Sequence, residues 1–127
     1  MKTLDKFHKL AAKALDNLKS SNSFISHAHY GLNFKKPNWT QGYGSILWEL
    51  NQKMVRSKHG KTEVPMETSA QLFDVVDGHP MTHSLSLIRL LAAKLIERPL
   101  PNCYRITKFG EKYAEAWDAC MKEGIMQ

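Results

Sequence analysis

Cysteine is scarce in this chain: two residues in 127, seventeen positions apart and in no C-x-x-C pair. That spacing excludes a disulfide framework and offers no zinc or dithiol motif, so Cys103 and Cys120 read as small buried or half-buried hydrophobes. No apolar run approaches the ~20 residues of a membrane-spanning helix, so no membrane partner is expected. The first residues interleave lysines with apolar side chains instead of setting a charge cluster before an apolar block. No secretory signal is read there, and a cytoplasmic location is expected. There is no G-x-S-x-G, no H-E-x-x-H, no phosphate-cradling glycine loop and no recognisable acid pair, which argues against an enzyme and against a cofactor. Six histidines include His27-Ala28-His29 and the neighbours His79 and His83. No second cluster completes the four ligands of a structural zinc site, and no metal is expected.

Acidic residues are the other shortage, with 12 Asp and Glu against 18 Lys and Arg, a net charge of +6 that points toward an anionic partner. The excess is uneven. Residues 1–61 carry eleven cations against three anions, whereas residues 62–127 carry seven against nine. What remains is ordinary for one soluble globular domain: 43% hydrophobic and 24% charged, enough to bury a core.

Local patterns divide the chain. Leu4, Phe7, Ala11, Ala14 and Leu18 recur at spacings of three and four, which predicts an amphipathic helix from Thr3 to Lys19. Its narrow stripe suits either a second helix or the chain's own domain. Ser20-Ser21-Asn22-Ser23 ends it. Phe24, Ile25, Tyr30, Phe34, Trp39 and Tyr43 make the next stretch too apolar for a floppy linker, so a packed loop is expected. A second helix opens at Gly44-Ser45 with Ile46, Leu47, Leu50 and Met54 inward, turns basic, and ends at Gly60. Thr62-Glu63-Val64 reads as a short extended piece before Pro65.

Thr68 followed by Gln71 is a capping-box pattern, and it predicts a third helix with Ala70, Phe73 and Val76 inward. Asp77-Gly78 stops that helix, and Pro80 reinforces the break. Thr82 or His83 opens a fourth helix to Ala93. Leu95–Arg98 and Cys103–Thr107 flank the turn Pro99-Leu100-Pro101-Asn102, a hairpin. Thr107 then caps a last helix with Phe109, Tyr113, Ala116, Trp117 and Cys120 on one side.

This order, and four segments within it, resemble the winged helix-turn-helix domains of bacterial transcription regulators. Thr68-Ser69-Ala70-Gln71-Leu72-Phe73 looks like the first helix of the motif and Leu85-Ser86-Leu87-Ile88-Arg89-Leu90-Leu91 like the second. Leu95-Ile96-Glu97-Arg98 looks like the first wing strand, and Tyr104-Arg105-Ile106-Thr107-Lys108-Phe109-Gly110 like the Y-x-[IL]-T-x-x-G exit from the wing. Lys94 departs from the pattern, standing where many relatives have glycine. The resemblance implies a mainly α fold with a small β-hairpin wing and extra N- and C-terminal helices. Its parts are an N-terminal helix and packed segment over 1–42, the motif over 43–107, and a C-terminal helix over 108–127.

On this reading the fourth helix would enter the major groove of double-stranded DNA. At roughly 100° per residue, Ser84, Leu85, Ile88, Leu91, Ala92 and Leu95 fall on its core side, and Thr82, Ser86, Arg89 and Ala93 opposite, with His83 and Leu90 at the edge. Arg89 is the expected guanine reader, with Thr82, His83 and Ser86 beside it. Ser69 and Gln71 would touch the backbone from the preceding helix, Arg98, Asn102 and Arg105 from the wing, and Arg56 and Lys58 from the second helix. The expectation is a regulator of transcription acting as a homodimer through its terminal helices.

A second expectation, from a different class, is a protein-interaction module on the same scaffold. It rests on the segment 66–107, whose four cations are matched by four anions. It rests also on Leu87 and Leu90, which read as exposed.

Overall fold

The computed structural model describes residues 2–21, 34–37, 42–60, 64–78 and 80–124. Expectations on Phe24, Ile25, His27, His29, Tyr30, Trp39, Thr62, Glu63 and His79 fall outside those residues. The described elements run α1 (Lys2–Lys19), α2 (Gly42–Gly60), β1 (Glu67–Thr68), α3 (Ser69–Val75), α4 (Pro80–Ala92), β2 (Ile96–Leu100), β3 (Cys103–Ile106) and α5 (Lys108–Lys122). The fold is mainly helical with one small antiparallel sheet in the order β1-β3-β2. No described helix is long and apolar enough to cross a membrane.

The stripe Phe7, Ala11, Ala14 and Leu18 is buried as its spacing requires. What covers it is the chain itself. α1 runs antiparallel to α5, with the Phe7 and Tyr113 ring centroids 5.1 Å apart and Lys13 Nζ 5.3 Å over Phe109. At the far end the Cys120 thiol points to the Thr3 carbonyl at 3.6 Å. The two alanines let the helices approach closely. The surface expected to join two copies is therefore occupied within one chain.

Around this pair the core continues through Ile46, Leu47 and Leu50 of α2, Leu72 of α3, Leu87 and Leu90 of α4, Ile96 and Ile106 of the hairpin, and Tyr113 of α5. The segment between α1 and α2 contributes Phe34, whose carbonyl accepts a 2.5 Å hydrogen bond from Tyr113 Oη. Phe34 also packs edge-on to Tyr43, with centroids 5.3 Å apart. Burial raises the hydroxyl pKa of both tyrosines, so both stay protonated.

Several boundaries differ from expectation. The strand ahead of α3 is Glu67–Thr68, paired to Tyr104 and Cys103, while Val64 is exposed outside it. Leu72, not Ala70, anchors α3; Ala70 faces solvent. Pro80 opens α4 instead of only ending what precedes it, because a first-turn residue needs no intrahelical N–H partner. The second strand reaches Leu100, with a register shift between Glu97 and Leu100. That irregularity spans Pro99, which has no N–H for the ladder. The turn shrinks to Pro101-Asn102, with Asn102 at φ 60°. Lys94, where glycine is the residue expected from the resemblance, sits at φ 63°.

Both capping expectations hold. Thr68 Oγ1 accepts from the Gln71 N–H at 3.1 Å, and Gln71 Oε1 accepts from the Thr68 N–H at 2.9 Å. Thr107 Oγ1 accepts from the Gly110 N–H at 2.9 Å, and its hydroxyl reaches the Lys94 carbonyl at 2.8 Å. Gly110 is required by packing: a Cβ there would collide with the Leu95 carbonyl oxygen and stand 2.6 Å from Ile106 Cγ1.

Candidate interaction surface

Helix α4 carries apolar residues around most of its circumference, so hydrophobic spacing alone could not set its rotation. The structure turns it about half a revolution from the expected phase. His83, Ser86, Leu87, Leu90 and Ala93 face the core, whereas Met81, Thr82, Ser84, Leu85 and Ile88 face solvent. Two contacts of His83 favour this rotation. The His83 ring stacks on Phe73, with centroids 5.1 Å apart, and His83 Nε2 lies 3.0 Å from the Val76 carbonyl. A carbonyl only accepts, so Nε2 carries the hydrogen, and Nδ1 has no partner among the described residues.

The correction reaches the expected DNA contacts directly. His83 and Ser86 are 1% and 4% exposed and cannot reach a base edge. Leu87 and Leu90, read as exposed, are buried. Arg89 is half-buried, its Nε without a partner among the described residues. Of the helix positions expected to read DNA, Thr82 alone is exposed.

The cations expected on phosphates are also engaged. Arg56 lies 3.3 Å from Glu49 and 3.9 Å from Glu67, Lys58 is 2.6 Å from Glu111, and Arg105 is 2.8 Å from Glu97. Arg98 sits 5.7 Å over the Tyr104 ring. Each would have to exchange an intrachain partner for a phosphate. Ser69 and Asn102 are brought together, the Ser69 N–H donating to the Asn102 carbonyl at 3.0 Å. Gln71 is committed to its capping box.

The first cations of α1 lie elsewhere. Asn17, near the end of α1, donates to the Ala93 carbonyl beyond the last turn of α4 at 3.0 Å. Lys2 and Lys6 are therefore roughly 16–22 Å farther along α1 from that junction.

What α4 does present is apolar. Met81 is 69% exposed, Leu85 37% and Ile88 42%, at spacings of four and three along one face, and Val75 at the end of α3 is 61% exposed. The exposed positions of α4 carry no charge, and its one cation, Arg89, is half-buried a turn on from Leu85. The signal was in the sequence as Met81-x3-Leu85-x2-Ile88, hidden because the equally apolar Leu87 and Leu90 lie on the other side.

A separate electrostatic feature sits between α2 and β1. Glu67 is buried, and its pKa is pushed up to about 7, first by burial, then by its hydrogen bond to Glu49 and repulsion from that carboxylate. Lys53 and Arg56 oppose the shift. No group of three or more metal-ligating side chains gathers among the described residues. Comparison with protein-family models, with curated proteins and with solved structures finds no match to this chain.

Proposed function

We propose that the chain is a winged helix-turn-helix, with β1, α3, α4 and the β2–β3 hairpin as the motif, used to bind another protein through the outward face of α4. The element order, the capped α3 and the three-stranded sheet support the scaffold. The exposed, uncharged row Met81, Leu85 and Ile88 carries the functional reading. A row of large apolar side chains in water is unfavourable unless a partner covers it. The occupant is an apolar helix or strand face of a second protein, since the row itself carries no charge.

Reading of DNA through α4 has less support. Duplex binding rests on neutralising phosphates with free cations and placing hydrogen-bonding groups on base edges. Here the helix turns Leu85 and Ile88 outward and holds His83 and Ser86 inside.

The test places a photo-crosslinking side chain at position 85, with position 36 as control. The adduct is identified by mass, and the purified partner is titrated against the wild-type chain and a Leu85→Lys/Ile88→Lys variant. Losing two buried aliphatic contacts should weaken binding by about 100-fold or more. Salt-dependent retention on a random duplex that Thr82→Ala and Arg89→Ala abolish would overturn the reading in favour of DNA.

A further inference from the structure

Between α1 and α5 lies a groove of about 600 Å³, a size within the roughly 300–1,000 Å³ of small-molecule sites. Leu10, Ala116 and Ala119 give it an apolar lining. Lys2 and Lys6 stand on the α1 side and Lys112 on the α5 side, with Glu115 the single carboxylate among the lining residues. None of the three lysines makes an ion pair among the described residues.

Their placement works against the helix that carries two of them. Lys2 and Lys6 occupy the first turns of α1, at the positive end of its dipole, where cations are disfavoured. They are also four residues apart on one face, where like charges repel. Asp5 in the same turn offsets part of this cost, yet three lysines without ion pairs among the described residues still gather around one groove that has a single lining carboxylate. An anion between the lysines relieves both penalties, and the apolar lining takes a hydrocarbon body.

We infer that this groove binds a free amphipathic anion, an aliphatic chain ending in a carboxylate. The inference stands apart from the α4 surface and does not depend on it.

Calorimetric titration of the full chain with decanoate, decanol and inorganic phosphate tests it. Decanoate should bind saturably at one site, and decanol and phosphate about tenfold more weakly or not at all. Lys6→Ala/Lys112→Ala should weaken decanoate by roughly fivefold. Ala119→Trp, which fills the groove, should remove binding, and Lys94→Ala, at an exposed lysine elsewhere, should change nothing. Equal binding of decanol would overturn the anionic requirement, and equal binding of phosphate the aliphatic one. Absence of saturable decanoate binding, indifference to the double lysine variant, or sedimentation with phosphatidylglycerol vesicles in place of decanoate binding would overturn the site.

Discussion

Lys58 Nζ donates to Glu111 Oε1 across 2.6 Å, tying the basic end of α2 to the first turn of α5. A lysine held this way is a structural cation before it is a phosphate ligand. Because Lys58 is well exposed, the pair contributes on the order of 0.5 kcal/mol. Lys58→Ala should therefore lower the urea midpoint only slightly. It should also leave the salt dependence of heparin retention unchanged; a clearly shallower slope would show that Lys58 serves polyanions after all.

The rotation of α4 gives a sharper test. Met81→Ser, Leu85→Ser and Ile88→Ser remove side chains that face solvent, and each should change stability by about 0.5 kcal/mol or less. Leu90→Ala, on the buried side, should cost about 2–5 kcal/mol. Denaturant unfolding that reversed this order would restore the rotation expected from sequence.

Gly110→Ala should be among the most damaging single changes, at about 3 kcal/mol or more, since the new methyl meets backbone at Leu95 and has no flexible neighbour to displace. The expected sign is loss of a cooperative thermal transition near the wild-type midpoint.

Lys94→Gly should act in the opposite direction. A left-handed conformation costs a side-chain-bearing residue about 1–2 kcal/mol, partly offset by the extra freedom of glycine in the unfolded chain. A net gain of about 0.5–1 kcal/mol is expected from the urea midpoint.

Glu67 predicts a pH dependence. Its proton is held more tightly in the folded chain than in the unfolded one, where the carboxyl titrates near 4.5. The stability it adds is complete below about pH 4.5 and is lost as pH rises through about 7. Wild-type stability should decline across that window by up to a few kcal/mol, and Glu67→Gln should flatten the decline. Equal slopes for the two proteins would remove Glu67 from the account.

Local chemistry was legible in the sequence, and relations between distant residues were not. Thr68 with Gln71, and Thr107 with Gly110, could be read because a cap acts over three residues. The stripe of α1 could be read because its polar side is unambiguous. α4 could not be phased, since Leu85, Leu87, Ile88, Leu90 and Leu91 satisfy more than one rotation. The choice among them falls to His83 meeting Phe73 and Val76, which spacing does not reveal. The same holds for the cations: Arg56 and Lys58 read as free because Glu67 and Glu111 are eleven and fifty-three residues away. The groove between α1 and α5 was invisible until the two helices were seen side by side.

The hydrogen bond from Ser69 to Asn102 bears on the docking proposed for α4. It fastens the hairpin turn to the start of α3, while β1 pairs with β3 just beside it. The hairpin is thus braced at its tip as well as at its base, and His83 similarly braces α4 against the end of α3. A surface pre-assembled in this way loses little conformational freedom on docking. Differences among α4 variants should then lie in how fast a partner departs, with arrival rates nearly constant.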